Sequence, residues 1–247
     1  MVRGFYTLGS GILTQSRKLS GISNNIANVE TPGYKKQDVS STTFGDILIS
    51  RIDSHSVTPI GKLGAISTVD KTNVIHSEGS LNNTGRNQDF AIKGEGFFAV
   101  QGQNNTGLYY TRNGSFNVDA QGYLTLNGVG RVVGNNGPIR VGTDSFTSDG
   151  QGNIYVNGSI VDKIAVYNFA DYNNLKLAPN GLFTAAAGAT QEQNPQILWK
   201  TLEGSNVDTA EEMTDAISAQ RTLQSCSESL KMYDQVLQKA VTDIAKI

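Results

Sequence analysis

Apolar residues in the last part of the chain recur at alternating steps of three and four: Ala216, Ala219, Leu223, Cys226, Leu230, Tyr233, Leu237, Ala240, Ile244 and Ile247. The positions between them carry Gln220, Arg221, Glu228, Lys231, Asp234, Lys239, Asp243 and Lys246. This period predicts a long amphipathic helix with a coiled-coil seam. From Thr209 to the end it would run for about 58 Å at ~1.5 Å per residue. A bare apolar stripe of that length is an interaction surface or a liability, so it needs a partner. The start of the chain repeats the pattern with Phe5, Leu8, Ile12, Gln15, Leu19, Ile22, Ile26 and Val29, where Gln15 alone is polar. Gly4, Gly9, Gly11 and Gly21 interrupt this first helix, and each costs about 1 kcal/mol against Ala. It therefore needs packing to become ordered.

Between the two seams the pattern changes. From Gly79 onward, short runs of alternating and β-branched residues are separated by turn residues. Phe90–Lys93 and Phe97–Val100 flank Gly94-Glu95-Gly96, which reads as a hairpin turn. Tyr109–Arg112 leads to Asn113-Gly114, a strong hairpin signal. Residues 115–128 (SFNVDAQGYLTLNG) and 145–158 (SFTSDGQGNIYVNG) are an internal repeat of strand, Asp-x-Gln-Gly turn, strand and Asn-Gly turn. They predict two related hairpins in one β domain. Residues 37–78 are mixed: 44–52 alternates weakly and 65–75 could hold a strand or two. The fold class is α+β: N- and C-terminal helices form a coiled-coil layer, with a central, mostly antiparallel β domain. The expected divisions are 1–36 (helix and corner), 37–78 (irregular or strand connection), 79–203 (β domain) and 204–247 (C-terminal helix).

Composition adds mostly exclusions. Twenty basic residues balance 22 acidic ones, which argues against nucleic acid or an acidic membrane as the main partner. No apolar run approaches the ~20 residues that cross a bilayer. Small and polar residues interrupt the region a secretory signal would make apolar. The chain is expected to be cytosolic, or exported by a route that reads no such signal. Cys226 is the sole cysteine and reads as a small apolar seam residue. His55 and His76 have no second ligand at metal spacing. Asp119 and Asp149 lack the dense oxygen set of a calcium loop and read as turn formers. Phosphate loops, nucleophile elbows, zinc-protease helices and paired-cysteine motifs are absent. Carboxylates are spread along the chain, and spacing alone does not pair them. The expectation is a non-enzyme without metal or cofactor.

Two corners look specified. Asn24, Asn25 and Asn28 precede Thr31-Pro32-Gly33-Tyr34-Lys35, where one Asn or Gly would suffice to stop a helix. Asn206-Val207-Asp208-Thr209 opens the long helix, and Asp208 with Glu211, or Thr209 with Glu212, fits a capping box. Glu211, Glu212 and Asp215 suit the helix start.

Taken together, these stretches resemble the flagellar axial family, the bacterial rod and hook proteins. Ser23–Asn28 with Thr31–Lys35 is similar to that family's N-terminal signature, with Ser23 where members often have Ala. Gly94–Phe98 and Tyr110–Phe116 resemble its central β region. Glu203-Gly204-Ser205-Asn206-Val207-Asp208, with Glu211-Glu212-Met213 and Ala219-Gln220-Arg221, resembles its C-terminal signature. The resemblance implies a structural subunit of the basal-body rod, which self-assembles through its terminal helices and serves motility. It also implies other rod and hook subunits as partners, type III export without a cleaved signal, and a final place outside the cytoplasmic membrane. Residues 134–139 and 202–206 lean toward the proximal-rod member. Phe44 and Leu48 resemble a Phe-x-x-x-apolar export element, a spacing that plain strands also show. The rival reading is a β-rich, adhesin-like surface-binding module dimerised by its helices. Two seams at opposite ends of the chain argue against it, since one dimerising helix would suffice.

Overall fold

The computed structural model describes residues 2–53, 56–102, 107–185 and 188–244. The side chains of Phe44, Leu48 and Ile244, and all of His55 and Ile247, lie outside the described residues. The chain divides into two units: 1–27 with 36–75 and 208–247, and 28–35 with 76–207.

The first unit holds two helices and one long hairpin. Helix α1 spans Val2–Ala27 and helix α2 spans Thr209–Ile244. Strand β1 (Gln37–Asp53) pairs antiparallel with β2 (Ser56–Val74), with register shifts at Ser40/Ser41 and Ile49/Ser50. The connection that sequence patterning leaves irregular or strand is strand over Gln37–Asp53 and Ser56–Val74. A two-stranded ribbon is marginal by itself, and this one packs against α1: a Cβ placed on Gly21 would stand 2.8 Å from Val39.

The second unit is antiparallel β-sheet. Its central strand, Phe97–Gly102, pairs with Leu108–Thr111 on one side and Gly130–Gly134 on the other. Phe97 and Phe98 point to opposite faces, and both are buried. Phe98 meets Phe116 and joins a core with Phe90, Leu124, Phe146, Ile154 and Ile164. Phe97 meets Phe169, Tyr172 and Phe183. A strand covered on both faces explains the unbroken Phe-Phe-Ala-Val run.

Both repeats form the expected hairpins. Phe116–Val118 pairs with Leu124–Leu126, and Thr147–Ser148 with Asn153–Val156. Each turn is stapled by its aspartate. Asp119 Oδ1 accepts from the amides of Gln121 and Tyr123, and Asp149 Oδ1 from those of Gln151 and Asn153. The Tyr123 amide, against desolvation and with the Gln121 amide and Arg131, holds Asp119 below its ordinary pKa. At Asp149 desolvation is the largest influence and opposes, but the Asn153 side chain and the amides of Asn153 and Gln151 still bring it below the ordinary value.

Two hairpin readings fail. Leu108–Thr111 does not pair with Phe116–Val118, so Asn113-Gly114 is no hairpin turn. Gly114 passes so close to the Phe90 carbonyl that a Cβ there would overlap it. Phe90–Lys93 pairs with Gln196–Trp199 and not with Phe97–Gly102. Gly94-Glu95-Gly96 is therefore a corner between two sheets, with φ of 94° and 125° at its glycines.

Candidate assembly elements

In the first unit, α1 and α2 run antiparallel against each other. A Cβ on Gly4 would lie 2.7 Å from the Tyr233 hydroxyl, and one on Gly11 would lie 3.7 Å from Cys226 Sγ. Asn25 Nδ2 donates to Glu212 Oε2 at 3.1 Å. Positions 4, 11 and 25 thus meet 233, 226 and 212, so each step of seven forward on α1 is matched by seven back on α2. That spacing is the heptad interval. Of the glycines that weaken α1 as an isolated helix, Gly4 is where a Cβ would crowd α2, Gly11 leaves ordinary contact room, and Gly21 faces Val39 of β1.

The predicted seam follows the less exposed side of both helices. Ile22 is buried, and Leu8, Ile12, Leu19, Ile26, Leu223, Leu230 and Leu237 are half-buried. Phe5 and Tyr233, at the α1 N-terminal end of the pair, stay exposed.

The other end is closed by a polar lock. Asn25 is buried; its Nδ2 donates to the Gln37 carbonyl at 2.9 Å and its Oδ1 accepts from the Gln37 amide at 3.0 Å. The side chain thereby imitates a strand neighbour at the first residue of β1. Glu212, also buried, accepts from Asn25 and pairs with Lys36 at 2.8 Å. Lys36 reaches exposed Glu211 as well, at 3.3 Å. The hydrogen bond to Glu212 is the main cause of the raised Lys36 pKa. Asp208 caps α2, accepting from the amides of Ala210 and Glu211. Glu212 therefore serves the helix pair, where sequence alone suggests a capping or dipole role.

In the second unit the Thr31–Lys35 corner is held by a buried ion cluster. The Asn28 carbonyl accepts from the Thr31 amide, and the Asn28 side chain accepts from the Thr31 hydroxyl. Gly33 has φ of 68°, and its amide donates to the Glu203 carbonyl at 2.8 Å. A Cβ there would stand 2.3 Å from the Arg112 carbonyl carbon, so no side chain fits. Tyr34 is buried and its carbonyl accepts from the Asn206 amide at 3.4 Å. Lys35 Nζ pairs with Glu203 Oε1 at 2.5 Å and donates to the Ser77 carbonyl. Arg112 pairs with Glu203 Oε2 at 3.1 Å, donates to the Gly94 carbonyl at 2.7 Å, and lies over the Phe97 ring. Glu203 Oε1 also accepts from the Gly79 amide at 3.1 Å. Burial lowers the Lys35 pKa, although Glu203 opposes this.

The signature residues divide accordingly. Thr31, Gly33 and Tyr34 shape the corner, and Asn206 binds both Tyr34 and Ser77. Val207 is buried, and its amide donates to the Ser205 hydroxyl. Met213 is exposed, and Asn24 and Pro32 are not buried. Lys35, Arg112 and Glu203, which pair at this corner, carry no pattern that marks them as partners in sequence.

This polar machinery positions backbone and holds no converging nucleophile and base. No helix among the described residues is long and apolar enough to cross a membrane. Comparison with known proteins agrees with a structural reading. Residues 5–35 match the flagella basal body rod protein family, 91–156 the flagellar hook protein FlgE/F/G D1 domain, and 200–243 the flagellar basal body rod FlgEFG protein C-terminal family. The chain is 34% identical to the flagellar basal-body rod protein FlgG of Bacillus subtilis, over 98% of each chain. It is 30% identical to the flagellar hook-basal body complex protein FlhO of the same organism over the full length of both. It is 32% identical to the flagellar hook protein FlgE of Helicobacter pylori over 76% of this chain and 25% of that one. With full-length rod relatives and matching segments at both ends and in the middle, the chain belongs to the family of flagellar basal-body rod and hook proteins.

Proposed function

We propose that this chain is a structural subunit of the flagellar basal-body rod, at a proximal-rod position. It reaches the rod by type III export, outside the cytoplasmic membrane, and builds the rod with copies of itself and other rod and hook subunits. The observation that carries the reading is the heptad-spaced antiparallel pairing of α1 and α2. In the assembled rod these helices form a coiled-coil layer. The β unit, with its own core, stands apart from that work. The proximal position rests on residues 134–139 and 202–206.

The test is a deletion of the coding sequence followed by electron microscopy of isolated basal bodies. Loss of a rod segment, and of hook and filament beyond it, is the expected result. Complete basal bodies in the deletion strain would overturn the proposal. Export is tested separately with Phe44→Ala/Leu48→Ala, where normal secretion of the double variant would remove that element's role.

A further inference from the structure

An asparagine side chain can close a ring onto the amide nitrogen of the next residue, and glycine hinders this least because it has no Cβ. The chain has five Asn-Gly pairs, beginning at Asn113, Asn127, Asn136, Asn157 and Asn180. Two of them continue with serine, which gives the same tripeptide at Asn113-Gly114-Ser115 and Asn157-Gly158-Ser159. Their local chemistry is matched, so the fold decides any difference between them.

The first copy is locked. Gly114 is buried, and a Cβ there would overlap the Phe90 carbonyl oxygen. The Gly114 carbonyl accepts from the amides of Phe90 and Phe116. Asn113 Oδ1 accepts from the Ser115 amide at 2.9 Å, and the Asn113 amide donates to the Thr111 hydroxyl at 3.0 Å. Ring closure here would break the side-chain bond and move backbone that has no room to move. Asn136 is held in another way: its amide and its Nδ2 both donate to the buried Asp162 carboxylate.

The second copy is open. Asn157 and Gly158 are the two turn residues between the paired strands Asn153–Val156 and Ser159–Lys163, with φ of 51° and 79°. Both are exposed, and a Cβ on Gly158 would meet nothing within 4 Å. Among the described residues, no hydrogen bond ties the Asn157 side chain or the Gly158 amide.

We propose that Asn157 is a site of spontaneous deamidation, and that the fold directs the reaction to it and away from Asn113. The Gly158 nitrogen attacks Asn157 Cγ. The new N–Cγ bond closes a five-membered imide, the Cγ–Nδ2 bond breaks, and ammonia leaves with the proton given up by the Gly158 amide. Water then opens the ring. Attack at Cγ gives aspartate, and attack at the Asn157 backbone carbonyl carbon gives isoaspartate. The first product adds a negative charge at the hairpin tip. The second routes the backbone through Cβ, which lengthens a two-residue turn and disturbs the Val156–Ser159 pair beside it. The reaction is independent of the rod reading.

The experiment incubates the full-length chain for days in mildly alkaline buffer, once folded and once in denaturant. Tandem mass spectrometry of proteolytic fragments then measures aspartate and isoaspartate at each position. In denaturant the two tripeptides should react at rates within about twofold of each other. In the folded chain Asn157 should react at least tenfold faster than Asn113. Folded Asn157 reacting no faster than Asn113 would overturn the proposal. So would a tenfold difference that persists in denaturant, because the local sequence and not the fold would then be its cause.

Discussion

Glu203→Gln removes one charge from the centre of the Thr31–Lys35 corner and keeps its shape. Glu203 is fully buried and neutralises two buried cations, Lys35 at 2.5 Å and Arg112 at 3.1 Å. Breaking one side of a buried ion pair costs about 3–5 kcal/mol, because the remaining charge is left without compensation. The molecule has one escape, which is to release the proton of Lys35. From an ordinary lysine pKa of about 10.4, neutralisation at pH 7 costs at most ~5 kcal/mol, so this route caps the loss. For a unit of about 140 residues, a loss of 3–5 kcal/mol lowers the melting temperature by roughly 10–20 °C. The assay is differential scanning calorimetry of the full chain, followed across pH. Lys35 in the variant has a folded pKa pushed further below its unfolded value. The unfolded state then binds more protons, and the variant gains stability as pH rises toward 10. The gap to the unmodified chain should narrow over that range. A melting temperature within 2 °C of the unmodified chain at pH 7, or a gap that does not depend on pH, would rule out Glu203 as the counter-ion that holds Lys35 and Arg112 in the corner.

Two further outcomes follow from the same unit. Gly33→Ala places a Cβ against the Arg112 backbone at a residue with φ of 68°. It should destabilise the β unit by more than about 3 kcal/mol, read as insoluble expression or a loss of 10 °C or more, and a soluble variant with unchanged melting would contradict the contact. His76 is enclosed by Phe97, Tyr172 and Phe183, faces Lys35 and Arg112, and has its Nδ1 buried without a partner. Burial first, then the two cations, lower its pKa to about 4. Its contribution is therefore intact above the unfolded value near 6.5 and is lost as pH falls from there toward 4. After a discount for partial exposure the loss is about 1–2 kcal/mol. His76→Phe should flatten that part of the stability profile, and an equal slope in both proteins would remove His76 as its cause.

The helices were legible because one period governs the whole of each, and a 3.5-residue repeat over several turns has no competing strand reading. The repeated hairpins were legible for a similar local reason, since Asp119 and Asp149 bond to amides two and four residues on. Asn113-Gly114 misled because the same dipeptide serves a tight turn or a close crossing, and here Gly114 makes room for the Phe90 carbonyl. Gly4 and Gly21 read as costly only, because the neighbours a Cβ would crowd, Tyr233 of α2 and Val39 of β1, lie far from them in the sequence. The ion cluster was invisible for the same reason. Glu203 meets Lys35 across 168 positions and Arg112 across 91, and no local spacing encodes such a meeting. The hairpin of β1 and β2 was obscured by Gly45, Pro59, Gly61 and Gly64, which break the alternation that marks a strand.

If the helices of this chain build the rod, Leu230→Asp should keep it out of the rod. Leu230 is half-buried on the seam of α2, and a charge there costs several kcal/mol when the seam closes. The measurement is the amount of this variant in basal bodies isolated from a strain that carries no other copy, quantified by immunoblot against secreted protein. The variant should be exported with a folded β unit, be absent from basal bodies, and leave the strain non-motile. Basal bodies containing the variant at the normal level, in cells that swim, would contradict it.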